Sequence, residues 1–163
     1  MDITLSHLCL LFGFVSALVA GVFQSFSDFV MAGLARATPS GGIESMQHIN
    51  RTVFRSTFLV SFLALVPFSV VFALFVAARS DGAGRALVIA ATATYVLTVF
   101  VVTVARNVPM NQRLDALDAA TPEARAYWAV YCRDWTRWNH VRTLGCAAAS
   151  GAFLGAAATF ASA

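Results

Sequence analysis

Four stretches of the chain stay apolar for about 20 residues or more, the length a helix needs to cross a hydrocarbon layer about 30 Å thick. They run over residues 3–34, 45–78, 84–106 and 143–163, counted approximately at each end. This pattern predicts an all-α fold: an integral membrane four-helix up-down bundle. It forms a single membrane domain over residues 1–163, with a long polar loop and a helical extension between spans three and four. The first run resembles the apolar part of a signal peptide but lacks its positive leading segment, so it reads as a retained span.

The polar stretches between the runs differ in kind. Spans two and three are joined only by "RSDGAG", a tight turn. Between spans one and two lies "RATPSGGIE", where Pro39, Gly41 and Gly42 are expected to break the helix before Glu44 and Ser45 restart it. Residues 107–142 form the one long insert. Pro109 disfavours helical geometry at Val108, so span three is expected to end within "RNVPMN". In "TPEARAYWAVY", Thr121 is placed as an N-cap, Pro122 at the first helical position and Glu123 at the positive end of the helix dipole. That helix should run straight into span four. Small residues at every fourth position, Gly13, Ala17 and Gly21 in span one and Gly151 with Gly155 in span four, mark faces that can approach a neighbour closely. The neighbour is either another helix of the bundle or a second copy of the chain.

Composition supports the membrane assignment. Of the 163 residues, 59% are hydrophobic and 12% charged, against roughly 25% charged in a soluble domain. All eleven basic residues are arginine, and the net charge is only +3, which gives no support to a nucleic-acid partner. In up-down order nine arginines fall on the side of the first and third connections, leaving Arg79 and Arg85 on the other. The positive-inside rule makes the arginine-rich side cytoplasmic. Cys9, Cys132 and Cys146 form no C-x-x-C pair and read as buried small hydrophobes.

Polar residues inside a membrane are costly and need a partner or a purpose. Gln24, Ser27, Asp28 and Met31 share one helical face near the polar end of span one, expected to look into the bundle. His48, Arg51 and Arg55 form a stripe on span two, with Gln47 and Asn50 beside it, and Asp28 is the nearest candidate partner for Arg55. Asn107 and Asn111 stand at the end of span three. In "RDWTRWNHVR" the spacing of Trp128, Cys132, Trp135, Asn139 and Arg142 puts them on one face, with Arg133, Arg137 and His140 on an adjoining one. Trp135 and Trp138 also suit a membrane-border belt. No metal-binding spacing occurs, and no cofactor is expected. A metal or haem between His48 and His140 is the one arrangement the spacing leaves open.

The segments "FSDFVMAGLA", "MQHINRTVFR", "NVPMNQRLD" and "WTRWNHVRT" resemble, in order and spacing, motifs of the anthrone oxygenase-like family, small four-span membrane proteins long grouped as a domain of unknown function. The likeness runs from about Leu11 to Phe160. It implies a protein of the bacterial cytoplasmic membrane and oxidoreductase chemistry, the cofactor-independent oxygenation of a lipophilic phenolic or enolisable aromatic compound. It also implies which residues to weigh: Gln24, Asp28, His48, Asn50, Arg51, Asn107, Asn111, Trp135, Trp138, Asn139, His140 and Arg142. In such a reaction His140 or His48 would be the base and Arg51 and Arg142 would stabilise the anion. Asn50, Asn107, Asn111 and Asn139 with Gln24 and Asp28 would bind it, and Trp135 and Trp138 would flank the ring. Two other readings of the same residues stay open: a non-catalytic membrane module that binds a lipid-like or quinone-like ligand or a partner protein, and a network that only ties the bundle together.

Overall fold

A computed structural model describes residues 2–162, which are helical except at short connections. Helices α1 (Ile3–Arg36), α3 (Thr57–Arg79), α4 (Gly82–Asp115) and α5 (Pro122–Ala161) are each long and apolar enough to cross a membrane. Helix α2 (Pro39–Thr52) is shorter and buries only one face, through Ile43, Met46, Gln47 and Asn50. The spans follow one another up and down. Helix α5 packs along α1 and α4, and α3 packs against the same two. Large apolar side chains such as Phe14, Phe68, Leu74, Leu97 and Leu144 point outward, as a bilayer requires.

Helix α5 has 40 residues, which at 1.5 Å each reach about 60 Å, twice the hydrocarbon thickness. Its first half therefore stands clear of the apolar layer. There it packs with α2 and the end of α4 through Met46, Leu114, Trp128 and Tyr131. It is one continuous helix, as expected, and Thr121 caps it by accepting from the Ala124 amide at 3.2 Å.

Three boundaries differ from expectation. The helix after "RAT" restarts at Pro39 rather than at Glu44, because Thr38 accepts from the Gly41 amide and Pro39 is preset for the first turn. Gly42 is not a breaker: a Cβ there would collide with the Leu34 carbonyl and press on Trp128, so glycine lets α2 fold back against α1 and α5. Span two does not run from Ser45. The chain passes through a 3₁₀ turn, Val53–Arg55, and an extended Ser56 whose hydroxyl donates to the Val53 carbonyl and accepts from the Leu59 amide. "MQHINRTVFR" therefore lies on α2 and the turn, outside the span, and Arg55 is exposed rather than deep.

The third difference is at Pro109, where α4 does not stop. Val108 keeps helical angles (φ −61°, ψ −48°), and the helix continues to Asp115. Two wide π-helical turns, Tyr95–Val101 and Thr103–Asn107, precede the proline. The wider turn makes room for the pyrrolidine ring that an α-helical turn would exclude. The long polar loop shrinks to the connection after Asp115.

Small residues set the closest helix contacts. Gly13 meets Leu154, and its carbonyl accepts from Ser150 at 2.8 Å, whereas Gly21 and Gly151 face open space. A Cβ at Gly145 would run into the Thr98 side chain. Gly145→Ala is expected to lower stability by about 1–3 kcal/mol. Adding Thr98→Ala removes the nearest atom but leaves its Cβ 2.7 Å from the new methyl, so it should restore only part of the loss, whereas Thr98→Gly clears the contact, as thermal unfolding in detergent would show.

Candidate functional site

At the polar end the helices part around a cavity of about 260 Å³. Its walls are mostly apolar: Phe23 and Phe26 of α1, Met46 of α2, Phe58 and Phe62 of α3, and Trp135 of α5. Depth follows from exposure. Phe23, Asn50, Phe62, Trp135 and Arg142 are buried, whereas Arg51, Phe54, Gln112 and Asp115 are exposed and frame the mouth. Phe54, in the turn between α2 and α3, is 76% exposed.

Arg142 is the cavity's deepest charge, 5% exposed. Among the described residues it has no carboxylate partner. It is held instead by Asn139, whose Oδ1 accepts from a guanidinium nitrogen at 2.6 Å, and by the Thr103 hydroxyl at 3.3 Å. The guanidinium carbon lies 4.4 Å from the centre of the Phe23 ring and 5.1 Å from that of Trp135. Such cation–π contacts offset part of the cost of a desolvated cation, by about 2 kcal/mol when well buried. Among the described residues the Nε of Arg142 and the Nδ2 of Asn50, both enclosed by their neighbours, have no hydrogen-bond partner. Arg142 and Asn50 both line the largely apolar cavity.

The rest of the polar network positions these groups. Asn139 is fully buried and donates to the Phe23 carbonyl and to Ser27 Oγ, both at 2.6 Å, which fixes α5 to the π-helical turn of α1, Phe26–Val30. Asn111 Oδ1 accepts from the Tyr131 hydroxyl and from the Trp135 indole N–H, each at 2.8 Å. Asn107, also buried, donates to the Trp135 carbonyl at 3.2 Å. Gln47 donates to the Leu114 and Leu117 carbonyls and holds α2 against the end of α4. At the mouth, Arg51 Nε donates to Asp115 Oδ1 at 2.8 Å.

Of the twelve residues expected at the site, Asn50, Arg51, Asn111, Trp135 and Arg142 line the cavity. Asn107 and Asn139 lie behind its wall. Four do not join them: Gln24, Asp28, His48 and His140 are exposed on outer faces. In α1 the inward face runs through Phe23, Ser27 and Met31, and Gln24 and Asp28 each stand one position, about 100°, past it and turn out. Asp28 makes no ion pair with Arg55. His48 lies opposite the buried face of α2, and His140 is one position past Asn139, about 100° around α5. Trp138 is half-buried beneath Arg106, whose guanidinium lies 4.8 Å above the ring, a border contact rather than a cavity wall. Sequence reasoning missed Thr103, Gln112 and Asp115. Asp115 repeats the four-residue step from Asn107 to Asn111, a signal that a helix ending at Pro109 conceals. Among the described residues no three His, Cys, Asp or Glu side chains cluster as a metal would require.

The anthrone oxygenase family model matches residues 48–152. The chain belongs to the anthrone oxygenase family. No curated protein and no solved structure matches it. The part shared with the anthrone oxygenase family runs from the middle of α2 through α3 and α4 to near the end of α5. It therefore carries Asn50, Arg51, Asn111, Asp115, Trp135 and Arg142, while the α1 wall lies outside the matched residues.

Proposed function

We propose that this member of the family takes a lipophilic phenolic or enolisable aromatic compound from the bilayer, binds it as its anion, and oxygenates it with dioxygen without a cofactor. Arg142 carries this reading. A buried cation without a counter-ion is expensive to keep, and a guanidinium at the wall of an apolar cavity suits an oxyanion attached to an apolar body. Asn50 is a second polar side chain of the wall, and Phe23, Phe26, Phe58, Phe62 and Trp135 offer faces and edges to aromatic rings. The volume lies just under the range of about 300–1,000 Å³ usual for small-molecule pockets. That suits a few fused rings better than a whole lipid.

The chemistry balances with dioxygen as the only co-reactant. A ring CH₂ beside the enolisable system gives up a proton, and its electron pair passes to dioxygen. The O–O bond then breaks with loss of water, so that R₂CH₂ + O₂ gives R₂C=O + H₂O. Arg142 would stabilise the anion that the first step creates.

A second reading, a module that holds a quinone-like or lipid-like molecule without chemistry, draws on the exposure of both polar-end histidines away from the cavity. Purified protein in lipid vesicles, given anthrone and ¹⁸O₂, separates the two. Oxygenation predicts uptake of one O₂ per anthrone, with ¹⁸O in the new carbonyl. Saturable binding with no uptake above that of empty vesicles would reject the oxygenase and leave the binding module.

A further inference from the structure

We infer that Asp115 is the proton acceptor of the site, a catalytic residue that takes the proton whose loss creates the substrate anion; this rests on the oxygenation reading above. Forming the anion inside the cavity needs a Brønsted base. Among the described residues that line the cavity, Asp115 is the one carboxylate, and neither polar-end histidine joins it.

The layout separates the two charges the reaction needs. Arg142 lies at the buried end, against the Trp135 ring, and the Trp135 indole donates to Asn111. Asp115 is four residues beyond Asn111, about 6 Å further along α4 towards the mouth. A fused-ring substrate can therefore place its ring oxygen at Arg142 while the acidic carbon, across the central ring, points towards Asp115. One carboxylate oxygen is engaged by Arg51, and Oδ2 makes no hydrogen bond with the described residues. That second oxygen is free to take the proton.

Electrostatics favours the transfer. The C–H bond breaks, the proton moves to Asp115 Oδ2, and the electron pair delocalises through the rings to the oxygen at Arg142. Negative charge thus leaves a solvated pair, Arg51–Asp115, whose side chains are 55% and 41% exposed. It arrives beside a buried guanidinium that has no counter-ion. A screened surface pair contributes little, while a buried unpaired cation gains much from an anion, so the interaction strengthens as the reaction proceeds. Because Asp115 is half in water, the proton passes to solvent without a relay.

The step is measurable without oxygen. Anthrone deuterated at its CH₂ is incubated with the protein in vesicles under nitrogen, and loss of deuterium to solvent is followed. The wild type is expected to accelerate exchange, Asp115→Asn to lose about a hundredfold of that acceleration, and Asp115→Glu to recover part of it. Binding of a hydroxyanthraquinone phenolate, read by its absorption shift, should persist in Asp115→Asn and report an intact Arg142 end. Exchange by Asp115→Asn at the wild-type rate overturns the assignment, as does loss of exchange together with loss of the phenolate shift, or no acceleration by the wild type. A wild type that exchanges but takes up no oxygen rejects the oxygenase and leaves Asp115 as the base.

Discussion

Arg142→Met is expected to abolish binding of an aromatic phenolate and to lower oxygenation by about 100- to 1,000-fold, the loss typical when the main donor to a developing oxyanion is removed. The fold should survive. Methionine nearly matches the length of the arginine stem and fills the space between Phe23 and Trp135 without a charge. Removing an uncompensated buried cation relieves a desolvation cost; against that, Asn139 Oδ1 loses the partner it holds at 2.6 Å, which costs about 1–3 kcal/mol. The two effects oppose each other, so the melting temperature in detergent should move by only a few degrees. Arg142→Lys should fall between wild type and Met, since a point charge cannot serve Asn139, Thr103 and an oxyanion together as the guanidinium fork can. A Met variant that unfolds would show that Arg142 ties the bundle. One that folds and still binds phenolate at wild-type affinity would remove Arg142 from the site.

The parts of this site that could be read from the sequence are those that obey one simple period. The spans were visible because each holds an apolar run long enough for the bilayer. The face of α5 was visible because Trp128, Trp135, Asn139 and Arg142 keep α-helical spacing along an unbroken helix, and all four are buried. Reasoning failed where the period changes. The π-helical turn at Phe26–Val30 adds a residue to one turn of α1 and keeps Met31 on the same buried face as Phe23, and no residue type announces such a turn. The π-helical turns before Pro109 likewise kept α4 helical and carried Asn111 and Asp115 to the cavity. The break at Ser56 rests on one serine capping one helix, too small a signal within an apolar stretch. His48 shares a helical stripe with Arg51 and His140 one with Arg133 and Arg137, and both stripes lie on faces that the spacing of their buried neighbours turns outward. No pattern along the chain could have revealed that Arg142 lacks a carboxylate, because that depends on where every acidic residue ends up in space.

Asn139→Ala should combine the largest loss of stability at the polar end with a loss of function, and the two can be told apart. The Asn139 amide donates to the Phe23 carbonyl and to Ser27 Oγ, and its oxygen holds Arg142, all at 2.6 Å. Because Asn139 is fully buried, three lost bonds should cost about 2–4 kcal/mol. Ser27→Ala removes a single acceptor and should cost well under half as much. If the network only ties α5 to α1, Asn139→Ala molecules that remain folded should bind phenolate as the wild type does. If Asn139 also aims the guanidinium, they should bind it at least about tenfold more weakly, because Arg142 keeps only the longer bond to Thr103 and the two ring contacts. Asn139→Asp sharpens the distinction. A carboxylate cannot donate to the Phe23 carbonyl, but it would sit where Asn139 Oδ1 meets Arg142 and supply the counter-ion that the site lacks. The expected outcome is a folded, though less stable, protein whose Arg142 is already neutralised and which no longer binds the phenolate. Phenolate binding by Asn139→Asp at the wild-type level would mean that the unpaired charge of Arg142 is not what recognises the ligand.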